Sequence, residues 1–349
     1  MHRILNPALT LVVSLLLTGC QQKPDIIESH ESVLAFGTFI EVTLVNVSPE
    51  DRKLVMEEIE TELQYYHFAF HPWKAGPTGR TNQLLAATGE FTANPSLIPL
   101  IKKSKKFEQQ SKGLFNPAIG QLVKLWGYHS EFPPEQGPIP SDAEIQAILD
   151  QEPSMQAISI KGVRLHNSNP INKLDFGGIA KGYAVDLILQ HIQEMGVKHA
   201  IINTGGDLKV IGQHGDQPWH IGIRDPRGDG VIASIDLQHN EAAFTSGDYE
   251  RFFKEAGIRY HHILDPRTGK PARNAQSVTV IHSDGALADA AATALFVAGP
   301  EEWIAIAKSM NITQAMLIDR DGKIHISEAL AKRIKFEKPD LVIQTVKLE

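Results

Sequence analysis

The chain has a single cysteine in 349 residues. A lone cysteine excludes an internal disulfide. Basic residues are outnumbered, 34 Lys and Arg against 41 Asp and Glu, and the net charge of −7 argues against a nucleic-acid-binding surface. The sequence carries neither the spaced-glycine dinucleotide fingerprint nor the Walker loop, so an ordinary Rossmann or P-loop site is excluded. It has no fixed-period repeat, and beyond its first twenty residues no run is read as long enough to cross a bilayer. What is left is globular: 42% hydrophobic and 21% charged. A mature chain of roughly 330 residues suits one large domain or two intimate ones.

The cysteine sits where its meaning is greatest. Met1-His2-Arg3 is a short basic start, and Leu9 to Leu17 is an apolar run too short for a permanent span. The run ends in Leu17-Thr18-Gly19-Cys20, which looks like a bacterial lipobox. The plainer readings are a buried N-terminal helix or a simply cleaved signal. The position of the only cysteine favours a lipoprotein with residues 1–19 as signal, lipid on Cys20, and a polar tether over 20–32. The mature protein is then expected on the periplasmic side of a membrane. Gln21, in place of Asp, points to the outer membrane by analogy with sorting rules.

Periodicity predicts an α+β mixture of sheets and packed helices spread over residues 33–345. A strand region covers Val33 to Val47, with Phe36-Gly37-Thr38 at a bend. Helices are expected over Pro49–Tyr66, Ser96–Ser111, Asp142–Asp150, Gly182–Met195 and the alanine-rich Ala286–Ala298. His71 to Arg80, with two prolines and two glycines, reads as a loop. Strands follow the Gly182 helix, and a late hairpin surrounds Asp319-Arg320-Asp321-Gly322.

Chemistry-bearing residues gather in four places. The first is K-L-D-F-G-G-I-A-K-G-Y-A-V-D, Lys173 to Asp186. Gly177 and Gly178 let a ligand approach bare backbone, and the helix N-terminus behind them suits phosphate. The second is Asn203-Thr204-Gly205-Gly206-Asp207, either a ligand-binding turn or simply a tight turn between strands. The third runs from Thr245-Ser246-Gly247-Asp248-Tyr249 to His261-His262-Ile263-Leu264-Asp265-Pro266-Arg267-Thr268-Gly269, offering hydroxyls, an aromatic ring, arginines and two histidines. Its end is open to reading as a hairpin turn, with one histidine structural. The fourth is Ala288 to Ala294, where Asp289 and Thr293 stand one helical turn apart. Carboxylate and hydroxyl there make a hard-oxygen site suited to Mg²⁺. A solvent-facing Asp beside a self-bonded Thr is the plain alternative.

The four motifs, in this order and spacing, resemble the ApbE family of FAD:protein FMN transferases. The resemblance implies binding of FAD with Mg²⁺, cleavage of the pyrophosphate, and attachment of FMN to a Thr or Ser hydroxyl of a target protein while AMP leaves. It implies as targets the periplasm-exposed, flavin-carrying subunits of redox-driven ion pumps, the Na⁺-pumping NADH:quinone reductase and Rnf-type complexes. By motif, Asp289, Thr293 and the carbonyl of Ala180 would hold the metal. Asp175, Gly177, Gly178 and Lys181 would lie along the nucleotide, with Asn203, Gly205, Gly206, Asp207, Asn116, Ser246 and Ile263 in the same cleft. His262 would be the base for the incoming hydroxyl. Phe36 stands where many relatives have Met, and Trp73, in a loop that departs from the commoner version, is expected at the adenine or the flavin.

The chemistry is consistent with the residues. Attack on a pyrophosphate phosphorus needs charge neutralisation more than covalent help. A neutral hydroxyl must lose its proton, and a histidine titrating near neutrality suits that task. Two other classes stand beside the transferase: an FAD pyrophosphatase, in which water replaces the hydroxyl, and a non-catalytic flavin-binding or scaffolding lipoprotein. The latter would need neither the Asp289–Thr293 pair nor His262.

Overall fold

The structure is a computed structural model that describes residues 26–87, 89–130, 137 and 139–348. The leader, Cys20 and the start of the tether lie outside the described residues. Of the expected tether, residues 28–32 belong to the strand Glu28–Ala35, which pairs along its whole length with Thr38–Val45. The polar side chains in E-S-H-E-S hid a strand at a sheet edge, where one face meets water. Ile40, Val42 and Leu44 alternate inward as the pattern predicts and are buried.

These two strands begin a nine-stranded sheet that continues through Ala200–Asn203, Leu208–Ile211, Ala242–Gly247, Ala275–His282, Gln314–Asp319, Ile324–Ser327 and Ile343–Val346. Neighbours are antiparallel except the last pair. Helices Pro49–Phe70, Ala180–Glu194 and Gly285–Ser309 pack with one face. A three-stranded sheet, Ile334–Phe336, Val231–Leu237 and Trp219–Arg224, shares a core with the other. The fold is thus α+β, as read, in layers that each bury an apolar face.

The helix Gly285–Ser309 is the hub of the largest core cluster. Alanines at 286, 288, 290, 291, 292 and 294 are buried all round it, because only small side chains let a helix lie this close to a sheet and to a second helix. Its start is fixed three ways. Asp284 accepts from the Leu287 N–H at 2.9 Å, and Asp186 accepts from the Gly285 and Ala286 N–H groups at 3.0 and 3.1 Å. Asp186 is therefore a cap for a neighbouring helix, held also by Lys209 at 2.6 Å, and not a ligand group. The helix outruns the expected end at Ala298. Gly299 adopts φ 64° and kinks the chain, and Pro300 starts a second helical stretch at a position where its missing N–H costs nothing. By length and mean hydropathy, 1.2 over its most apolar window, this segment would qualify as a membrane span, against the expectation of none. That window is 67% buried within the protein, which marks it as a core helix.

The expected loop over 71–80 ends early, because a helix runs Pro77–Leu85. Pro77 presets the first turn, so proline here starts structure where it was read as breaking it. This helix carries Asn82, 5% exposed, whose amide brackets Leu174: Oδ1 accepts from its N–H at 2.7 Å and Nδ2 donates to its carbonyl at 2.9 Å. The clamp fixes the strand-like approach to Asp175.

Candidate active site

A single cavity of about 530 Å³ takes residues from all four motifs. That is within the range of small-molecule sites. Asp175, Gly177, Gly178, Ala180 and Lys181 border it from the turn and first residues of the helix Ala180–Glu194. Gly205, Gly206 and Asp207 border it from the adjoining turn, where both glycines have positive φ, 77° and 106°. Ser246, His262 and Ile263 come from the third motif, and Asp289 and Thr293 from the hub helix. Phe36 and Asn116 complete the residues expected there; the Phe36 N–H is anchored to His67 Nδ1 at 2.9 Å, and Asn116 bonds Pro153 and Ala118.

Two expected residues are placed elsewhere. Asn203 does not border the cavity: its Oδ1 accepts from the Gly206 N–H at 2.8 Å and its Nδ2 reaches Glu41, so it closes the turn that shapes the glycines. Trp73 is also outside the lining. Its ring lies 4.6 Å from the Lys173 ammonium and edge-on to His129, and it acts on the Asp175 carboxylate by lowering its pKa against burial, which raises it. Asp265, by contrast, turns the hairpin Leu264–Asp265/Lys270–Pro271 with Arg267 folded onto it, the turn reading of that segment.

The carboxylates form a charged cluster. Lys181 forms an ion pair with Asp207, whose other oxygen accepts from the Thr245 N–H at 2.8 Å. Asp289 is only 6% exposed and accepts from the Gly182 N–H at 3.1 Å, so it is not the solvent-facing group of the plain alternative. Burial, with the Asp207 charge nearby, pushes Asp289 up to about 7, against the pull of Lys181. Burial opposes the charge on Lys181, but the Asp207 and Asp289 carboxylates prevail and hold its pKa above the ordinary value. One ammonium thus serves two carboxylates, Asp207 and Asp289.

The donor set fits a hard cation. Asp289, Thr293 and Ala180 all border the cavity, and Thr293 Oγ1 lies 3.3 Å from Ser246 Oγ. A Cβ built on Gly178 would come within 2.9 Å of Thr293 Oγ1, so the glycine keeps that oxygen accessible. Carboxylate and neutral oxygens of this kind suit Mg²⁺.

The two histidines divide as alternation demands. His261, 3% exposed, bonds its Nε2 to the Ala272 carbonyl at 2.6 Å and packs edge-on to Phe296. His262 borders the cavity, and its Nδ1 lies 3.3 Å from the Arg251 carbonyl. That contact places the proton on Nδ1 and leaves Nε2 with a lone pair. The expectation of a pKa near neutrality is corrected. Burial, then the charges of Arg251 and of His261, push His262 down to about 3. The shift favours the neutral imidazole in the empty cavity.

Sequence reading missed Tyr128, Arg224 and Glu250, which also line the cavity, and gave Arg251 no role. Tyr128 arrives from a distant segment through a bond from its hydroxyl to the Tyr260 carbonyl at 2.6 Å, which no motif spacing signals.

Residues 36–317 match the model of the ApbE family. The chain is 38% identical over 332 residues to the FAD:protein FMN transferase of Rhodobacter capsulatus, covering 94% of this chain and 62% of that longer protein. It is 29% identical over 321 residues to the Vibrio cholerae enzyme of the same name, covering 90% and 94%. The crystal structure of the ApbE protein from Thermotoga maritima superposes with a TM-score of 0.79 at 32% identity, covering 89% of this chain and all of that one. Motifs converging on one cavity, a match across most of the chain and a shared architecture lead to one conclusion: this chain belongs to the ApbE family.

Proposed function

We propose that the chain is an FAD:protein FMN transferase that uses FAD with Mg²⁺ and joins FMN by a phosphoester to a Thr or Ser hydroxyl of a target protein. The observation that carries this reading is the pairing, across one cavity, of a carboxylate–hydroxyl site, Asp289 and Thr293, with a neutral histidine, His262. The pyrophosphate lies between them. Glycine-turn N–H groups and Lys181 balance its charge. The target hydroxyl oxygen attacks the phosphorus on the FMN side, the P–O bond to the AMP phosphate breaks, and His262 Nε2 takes the hydroxyl proton. A base driven as low as His262 is weak in the empty cavity. The anionic nucleotide counteracts the surrounding cations and raises its basicity when base is needed. Mg²⁺, held by Asp289, Thr293 and the Ala180 carbonyl, would supply charge stabilisation on the phosphate oxygens.

The leader and lipobox support a lipid on Cys20 and work on the periplasmic side of a membrane. The targets that fit are flavin-carrying, periplasm-exposed subunits of redox-driven ion pumps. The reading is tested by incubating protein lacking the leader with FAD, Mg²⁺ and such a target domain. Covalent flavin on the target and released AMP are expected; AMP and free FMN with an unmodified target would instead make the protein a pyrophosphatase.

A further inference from the structure

Arg251 stands in the cavity wall next to His262. Its guanidinium carries five N–H donors. Nη2 gives hydrogen bonds to the carbonyls of Tyr128 at 2.9 Å and Ser130 at 2.6 Å, which fix the plane of the group. Nε is buried and has no hydrogen-bond partner. Among the described residues none of the hydrogen bonds involves Nη1. Nε is closed off as well as unpartnered, so the nitrogen left to meet a ligand in the cavity is Nη1. Asp175 attracts it through space but forms no hydrogen bond with it. A flat, permanently charged fork, oriented by two carbonyls and with donors unspent, matches a phosphate better than any neutral part of a ligand.

We propose that Arg251 anchors the pyrophosphate of FAD beside His262, orienting the phosphorus for attack. This rests on the flavin-transfer reading. The same guanidinium repels a proton from His262, which keeps the Nε2 lone pair available.

The test compares FAD with riboflavin, which has the ring but no phosphate. Both are titrated by flavin fluorescence against the wild type, Arg251→Gln and Arg251→Lys, with inorganic pyrophosphate as a competitor. Arg251→Gln is expected to weaken FAD and pyrophosphate about 10- to 100-fold while leaving riboflavin within about twofold. Arg251→Lys restores charge but not the fork, and recovers part of the loss. A purely structural Arg251, bracing residues 128 to 130, would weaken FAD and riboflavin together; that result, or undiminished FAD affinity in either folded variant, overturns the proposal. If Arg251→Gln fails to fold, the ratio read on Arg251→Lys decides. Wild-type protein that binds no FAD would overturn the functional reading itself.

Discussion

The Nδ1 atom of His262 lies 3.3 Å from the carbonyl oxygen of Arg251, so one backbone group fixes which nitrogen of the cavity histidine is free. The neighbouring His261 is committed to Ala272 on the opposite face. His262→Ala is expected to keep FAD affinity and lose target flavinylation by about 10²-fold or more, the scale of a lost general base. His261→Ala, which empties a buried position and leaves a carbonyl unpaired, is expected to lower the melting temperature with a much smaller effect on transfer in the folded fraction. In-gel fluorescence of flavin on the target, beside thermal melts, separates the two. A His261 variant that folds well but fails in transfer would reverse the assignment.

Asp289 gives the site a pH dependence. Its pKa is raised in the folded protein, so at pH 6 the native state holds a proton that the unfolded chain has lost. The metal-free protein should therefore lose stability as pH rises from about 4, the unfolded value, towards about 7. A cation must displace that proton, so Mg²⁺ affinity should rise through the upper part of the same window and level off above it. Calorimetric Mg²⁺ titrations at pH 6, 7 and 8 check this. Affinity that is flat across the window, or full turnover in excess chelator, removes Asp289 from the metal site.

Because Asp289 is buried and accepts from the Gly182 N–H, truncation to alanine mixes loss of a ligand with an unpaired amide. Asp289→Asn keeps the shape and an acceptor oxygen. It is expected to leave the melting temperature of the metal-free protein equal or higher, since a costly buried acid is gone, and to abolish Mg²⁺-dependent turnover. A folded Asp289→Asn protein with wild-type turnover would contradict this.

The clamp on Leu174 predicts a stability effect away from the chemistry. Asn82→Ala leaves both the N–H and the carbonyl of Leu174 unpaired in the core. The expected cost is about 2–5 kcal/mol, from two buried groups each left unsatisfied, measured by denaturant unfolding. FAD affinity should fall as well, because the clamp fixes the approach to Asp175. A loss under about 0.5 kcal/mol, the scale of an ordinary surface change, would show that the bonds are replaced.

The lipobox carries its own outcome. Cys20→Ala is expected to accumulate unprocessed precursor or to leave the membrane fraction, read by mass and fractionation. A variant that is processed and partitions like the wild type would rule out the lipid anchor.

Much of the site was legible in the sequence because each motif concentrates unusual residues at fixed spacing. Glycine pairs, an Asp–Thr helical step and a histidine doublet keep their geometry in any fold that uses them. The layers were legible too, from alternation in Ile40, Val42 and Leu44 and the alanine run after Asp284. Support roles were not legible. Asn203 and Trp73 have the residue types of ligand contacts, and only the structure shows Asn203 bonded to Gly206 and Trp73 against Lys173 and His129, outside the cavity lining. Asp186 carries a motif carboxylate yet caps a helix 99 residues away in the chain. Burial was hidden as well: helical position alone does not tell a buried Asp289 from a solvent-facing one, and tertiary packing closes over it. The low pKa of His262 follows from that same packing, which places Arg251 and His261 beside it.

The central claim is that this cavity moves FMN from FAD onto a protein hydroxyl. Intact mass spectrometry of a target domain, after incubation with the leaderless protein, FAD and Mg²⁺, measures it most directly. Expected are one added FMN per acceptor site, AMP in equal amount, loss of the adduct when the acceptor Thr is changed to Ala, and no adduct with Asp289→Asn. AMP and FMN accumulating beside a target of unchanged mass, or an adduct that forms equally well with Asp289→Asn, would contradict it.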